Sequence, residues 1–150
     1  MKELNDSQKI YCECIMFKDA DGNQGALPVF QTELAACADV ALPKRLVIPA
    51  KSSVKEDLLI GFNIPYNMKI MIYPRSSLLT KYGLMQPTSI IDADYSGKHV
   101  HVPLYNPTEN EVVLEQGTRV AQIECVPRYD SPSWGRKHST REGGFGSTGK

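Results

Sequence analysis

The chain has 150 residues, 41% of them hydrophobic, and its 17 lysines and arginines balance 17 aspartates and glutamates. That length supports one buried core and is short for two, and zero net charge removes any global pull toward nucleic acid or an anionic membrane. Any anion site must therefore be local. No apolar run approaches a membrane span, and the start MKELNDSQK lacks the apolar stretch and cleavage site of a leader. A cytoplasmic protein with no membrane or direct nucleic-acid partner is expected.

Ten prolines and eleven glycines cut the apolar stretches into short runs, the pattern of an all-β sandwich, jelly roll or barrel. The first expected strand is IYCECIMF (10–17). Its Cys12 and Cys14 lie two apart and share a face, where they could ligate zinc, although packed thiols are the ordinary reading. With Cys37 and Cys125 they make four cysteines without a CxxC pair, which fits reduced thiols. Further strands are expected at RLVIPA (45–50), DLLIGF (57–62) and MKIMIY (68–73).

After the last of these comes PRSSLLTKYGL (74–84). A short helix is expected over 76–83, its serines capping the first amides and Gly83 ending it. Arg75, Ser76, Ser77 and free amides in one place suit a di- or triphosphate, although a capped helix with a surface arginine explains the same residues.

Next is SIIDADYSG (89–97), where a strand over 89–95 would put Asp92 and Asp94 on one face and Tyr95 on the other. A carboxylate beside an apolar wall can serve as general base for water, and a DxD pair can bind magnesium. An aspartate-rich turn before Gly97 is the plainer reading. Strands are expected again at HVHVPLY (99–105), EVVLE (111–115) and RVAQIECV (119–126). His99 and His101 share a face of the first, an HxH spacing open to a metal or to an ordinary half-buried strand.

From about Asp130 the chain turns to SPSWGRKHSTREGGFGSTGK, glycine-rich and basic, too polar to fold alone. The expectation is a β domain over 1–129 and a flexible arm over 130–150. GGFGSTGK superficially fits the GxxxxGK phosphate-loop pattern, but no strand-to-helix turn follows it. Its glycine amides and the hydroxyls of Ser147 and Thr148 can still converge on a polyanion, and Phe145 can stack on a base.

Five segments in order resemble the five motifs of the trimeric dUTP pyrophosphatase family: AACADVA (35–41), PRSSLLTKYG (74–83), IIDADYSG (90–97), GTRVAQIECVP (117–127) and GGFGSTG (143–149). Each alone is weak; the ordered set is highly specific. The resemblance implies a jelly-roll or β-barrel-like homotrimer with active sites shared between chains. It also implies magnesium-dependent hydrolysis of dUTP to dUMP and pyrophosphate, which keeps uracil out of DNA.

Carried over to this chain, the resemblance makes Asp92 the base for a water attacking the α-phosphate, while Tyr95 packs on the deoxyribose. Backbone groups from Thr88 through Ser89 to Ile91 would read uracil. Arg75, Ser76, Ser77 and Gln122 would contact phosphates, and Asp39 would support Mg2+ through water. In the arm, Phe145 would cover the base, Gly146, Ser147 and Thr148 would hold the terminal phosphates, and Arg141 would reach the γ-phosphate. Three departures stand out. Cys37 and Ala38 occupy a glycine and an aromatic position, and Arg141 lies one residue nearer the glycines than usual. Ser89 replaces a common glycine and would be strained if that position required a positive φ.

Two other functions compete. A dCTP deaminase shares the second motif but needs a glutamate in the strand after the third, and HVHVPLYN holds no acid. A phage-type regulator that seizes a repressor protein stays open as a second role.

Overall fold

The computed structural model describes residues 12–137. The strands are β1 (Glu13–Met16), β2 (Ala38–Ala41), β3 (Leu46–Ile48), β4 (Ser52–Asp57), β5 (Ile60–Asn63), β6 (Met68–Tyr73), β7 (Ser89–Ile91), β8 (His101–Asn106), β9 (Val112–Leu114) and β10 (Arg119–Pro127). One helix, α1 (Ser76–Tyr82), follows β6. Among the described residues the all-β, jelly-roll-like architecture with a single short helix is as expected. The barrel alternative is not: the described strands form open sheets, with a four-stranded one ordered β2-β10-β6-β7 and antiparallel pairs β1-β5, β3-β9 and β4-β8.

Strand periodicity builds the core. Along β6, Met68, Ile70 and Ile72 are buried while Lys69, Met71 and Tyr73 are partly exposed, so one face of the sheet meets Ile48, Ile60, Val102 and Leu114 inside. Each such side chain contributes about 1.5–3 kcal/mol when fully buried. The buried polar group among them is Asn106, whose amide donates to the carbonyls of Ile48 (3.0 Å), Pro49 (3.2 Å) and Asn110 (2.8 Å). Its oxygen accepts from the Thr108 amide at 3.0 Å and hydroxyl at 2.7 Å. Asn106→Ala would orphan these groups and should cost about 2–4 kcal/mol, read as a lower urea midpoint; an unchanged midpoint would contradict that role.

Several local expectations are corrected. DLLIGF is not one strand: β4 ends at Asp57 and β5 starts at Ile60, with Leu59 at φ 52° turning the chain. SIIDADY is a strand only to Ile91; Ala93–Tyr95 forms a 3-10 turn, closed by the Tyr95 amide donating to the Asp92 carbonyl at 3.0 Å. Asp94 therefore does not share a strand face with Asp92. The helix ends as expected, with Gly83 at φ 69° and its N–H on the Leu79 carbonyl. Its serines do not cap it: Arg75 is the N-cap residue and offers no side-chain capping bond.

Reduced thiols were expected throughout, but a disulfide joins Cys12 to Cys125, their Cα atoms 6.3 Å apart, while Cys14 and Cys37 are free. Burial holds the Cys14 thiol above its usual range. No cluster of three or more metal-capable side chains occurs among the described residues, so neither Cys12 with Cys14 nor His99 with His101 forms part of one. Among the same residues no helix is long and apolar enough to cross a membrane.

Candidate active site

The central strand β10 gathers three of the sequence segments. Gln122 pairs with Asp39 of β2 on one side and Tyr73 of β6 on the other, and two residues past Tyr73 comes Arg75. Asp39, with its side chain 9% exposed, meets Arg75 Nε through Oδ1 at 3.1 Å and Arg119 Nη1 through Oδ2 at 3.1 Å. Arg75 Nη1 also donates to the Arg119 carbonyl at 3.2 Å and the Ser77 hydroxyl at 3.4 Å. Gln122 donates its amide to the Pro74 carbonyl at 3.0 Å, fixing the turn that presents Arg75. Two guanidiniums held by one carboxylate leave a local positive charge in a neutral chain. Beside them Arg75, Ser76 and Gln122 line a depression of about 450 Å³ together with Leu78, Leu84 and Met85.

Arg119 was not singled out from the sequence. In a regular strand it and Gln122, three apart, would face opposite ways. A register shift between Arg119 and Ala121 adds a residue, so both reach the Asp39 side. The consecutive burial of Val120 and Ala121, each at 0% exposure, marks the same bulge. In sequence, that adjacent apolar pair inside RVAQIECV was the available signal.

Cys37 lies near this cluster. Burial, followed by the charges of Glu124 and Asp39, raises its thiol above the usual range, which keeps it protonated and a poor nucleophile. Tyr73 donates its phenol to Glu124 at 2.6 Å, and that bond raises the phenol as well.

The third segment stands elsewhere on the sheet. Among the described residues edge strand β7 pairs with β6 alone, placing Ser89 opposite Ile72, Ile90 opposite Met71 and Ile91 opposite Ile70. Ser89 lies in this strand without a positive φ, so replacing glycine brings no backbone strain there. An edge strand leaves outward main-chain donors and acceptors for a partner, and Thr88 is exposed just before it. Asp92 follows buried Ile91 and is itself exposed at the opening of the 3-10 turn.

Tyr95 ends that turn, its phenol donating to the His99 carbonyl at 2.8 Å. Gly61 is required nearby: a Cβ there would stand 2.6 Å from the Lys98 carbonyl, so only glycine lets β5 lie against the loop after Tyr95.

Within one chain, then, Arg75, Ser76, Ser77, Gln122 and Asp39 converge, whereas Asp92 does not join them. Ile91 sits beside Ile70, five residues before Arg75, so at about 3.3 Å per residue the backbones are roughly 16 Å apart. Arg141, Phe145, Gly146, Ser147 and Thr148 lie outside the described residues.

The dUTPase family model matches residues 23–149, a span that holds all five segments. The chain is 33% identical over 144 residues to the deoxyuridine 5'-triphosphate nucleotidohydrolase of Rickettsia akari (strain Hartford), covering 90% of this chain and 96% of that one. Among solved structures, the dUTPase from Streptococcus mutans superposes with a TM-score of 0.68 at 26% identity, over 77% of this chain and 98% of that one. A mutant dUTPase from phage phi11 of S. aureus gives 0.69 at 15% identity, over 85% and 97%, and shares the fold. The chain belongs to the dUTPase family.

Proposed function

We infer that the protein hydrolyses dUTP to dUMP and pyrophosphate. The observation that carries this reading is the Asp39-held pair of guanidiniums beside Gln122, two cations on one carboxylate and so a site suited to phosphate. In the reaction, water attacks the α-phosphorus and gives its proton to the Asp92 carboxylate. The bond from the α-phosphorus to the bridging oxygen breaks, and pyrophosphate leaves. Such phosphoryl transfer depends mostly on alignment and charge stabilisation, for which Arg75, Ser76, Ser77 and Gln122 are suited, with Arg119 added.

The backbone at Thr88, Ser89 and Ile91 reads the uracil edge, as the place of β7 at the edge of the described sheet favours. Tyr95 packs on the deoxyribose and excludes a 2′-hydroxyl. The arm, residues 130–150, closes the site: Phe145 on the base, Gly146, Ser147 and Thr148 on the terminal phosphates, Arg141 on the γ-phosphate.

The separation of Asp92 from Arg75 within a chain supports a homotrimer in which one chain lends its base and another its phosphate clamp. Large exposed apolar side chains at Leu27, Val29, Phe30 and Leu34 favour such burial by a neighbour. Both oxygens of Asp39 are engaged by arginines, and no cluster of three metal-capable side chains occurs among the described residues, so Mg2+ would arrive with the substrate phosphates and Asp39 would reach it only through water. Bound there, magnesium would neutralise charge on the phosphates. The phi11 phage dUTPase coordinates a structural Mg(II) ion. A cytoplasmic location fits a substrate drawn from the nucleotide pool.

With magnesium, the purified protein should convert dUTP and leave UTP and dCTP largely intact, measured by chromatography of the nucleotides. Equal turnover of UTP would refute the sugar role of Tyr95, and turnover of dCTP to dUTP would point to a deaminase.

A further inference from the structure

Tyr95 is held from a direction that the five motifs do not include. The His99 carbonyl that accepts its phenol at 2.8 Å belongs to a residue whose imidazole Nδ1 lies 2.7 Å from Asp57 Oδ2 and whose ring stacks on Phe17, centroids 4.0 Å apart and planes 16° apart. The other Asp57 oxygen accepts the Leu59 amide at 2.8 Å. Leu59 has a left-handed φ of 52°, and its carbonyl accepts the Phe17 amide at 2.8 Å. Asp57, Leu59 and Phe17 thus form a closed set of contacts around the imidazole of His99, the residue whose carbonyl aims Tyr95. His101 leans on the same groups: its Nδ1 is 3.2 Å from the His99 carbonyl and its Nε2 is 3.9 Å from Asp57 Oδ2.

We propose that Asp57 and His99 are positioning residues for sugar discrimination: Asp57 fixes the His99 imidazole, which fixes the His99 carbonyl and through it the Tyr95 ring. This rests on the reading that Tyr95 packs on the deoxyribose. Preference for dUTP over UTP is then set in part by side chains on β4 and just before β8, not by nucleotide contacts alone. A phenol released from the carbonyl can swing, and a wider pocket admits the 2′-hydroxyl. Loss of one such bond corresponds to a drop of about three- to tenfold in selectivity, or about 0.65–1.4 kcal/mol at 1.36 kcal/mol per tenfold.

The test is the ratio of kcat/KM for dUTP to that for UTP in the full-length protein with magnesium. Asp57→Asn and His99→Phe should each lower it about three- to tenfold, raising KM for dUTP while leaving kcat nearly unchanged. His99→Phe keeps the stack on Phe17 and the Asp57 bond to Leu59, so it covers the case in which Asp57→Asn unfolds. His99→Asn, which can return a donor to the Nδ1 position, should recover much of the ratio. Tyr95→Phe removes only the hydroxyl and should match them, and the double variant His99→Phe with Tyr95→Phe should be no worse than either alone, because both act through one bond. Additive losses, or a native ratio in folded His99→Phe, would overturn the proposal. Tyr95→Ala separates the two levels. If it collapses the ratio while His99→Phe does not, only this inference fails; if it too leaves the ratio native, the sugar role of Tyr95 fails and the inference falls with it.

Discussion

Asp92→Asn should lower kcat for dUTP by about a hundredfold or more while leaving nucleotide affinity within a few-fold of native. A positioned general base contributes about 10²–10⁴ in rate, roughly 3–5 kcal/mol of barrier at 1.36 kcal/mol per tenfold. Asparagine keeps the shape of the side chain and its place at the opening of the 3-10 turn, so the fold and the ground-state contacts should persist. Stopped-flow turnover and calorimetry with a non-hydrolysable dUTP analogue separate the two effects. Near-native turnover would remove Asp92 as the base. A parallel loss of affinity and rate would instead assign it to ground-state binding.

Mixing two inactive variants should restore activity. If Asp92 of one chain works with Arg75 of another, Asp92→Asn supplies the clamp and Arg75→Ala supplies the base, and random trimers of an equal mixture carry an intact site in about a quarter of positions. Activity should therefore rise from near zero in either variant to about a quarter of native after the mixed chains are denatured and refolded together. The roughly 16 Å between the Arg75 and Ile91 backbones, from the strand rise, is the reason to expect it. A mixture no better than its components would mean that each site draws both groups from one chain. Arg75→Ala also frees one oxygen of Asp39, so Arg75→Lys is a useful companion: it keeps the charge but loses the fork that spans Asp39, Ser77 and the Arg119 carbonyl.

How much of this was legible in the residues depends on the element. The uninterrupted apolar run MKIMIY, with Pro65 before it and Pro74 directly after, gave β6 with its full limits, 68–73. The helix was legible from its end, since Gly83 adopts the left-handed conformation that closes it. Strands β2 and β4 were not: ADVA is too short for a periodic signal, and SSVKED reads as a polar loop until β8 pairs along its whole length.

Over DADY the strand expectation failed and the plainer reading, an aspartate-rich turn before Gly97, is what the chain forms, closed by the Tyr95 amide donating to the Asp92 carbonyl. The disulfide joins residues 113 apart in sequence, a proximity no spacing rule reaches. At the site, Arg75, Ser76 and Ser77 were named from their own chemistry and Asp39 and Gln122 by resemblance, and the fold brings them together. Arg119 was hidden by a bulge, and the Asp57–His99 support of Tyr95 by tertiary contact. Ser89, suspect on sequence, sits in ordinary strand geometry.

The most direct measurement is a single turnover of dUTP in ¹⁸O-labelled water, with mass analysis of both products. Water attacking the α-phosphorus puts the label in dUMP and leaves pyrophosphate unlabelled. Label in pyrophosphate would mean attack at the β-phosphorus, and the assignment of Asp92 as base for an α-directed water would be wrong.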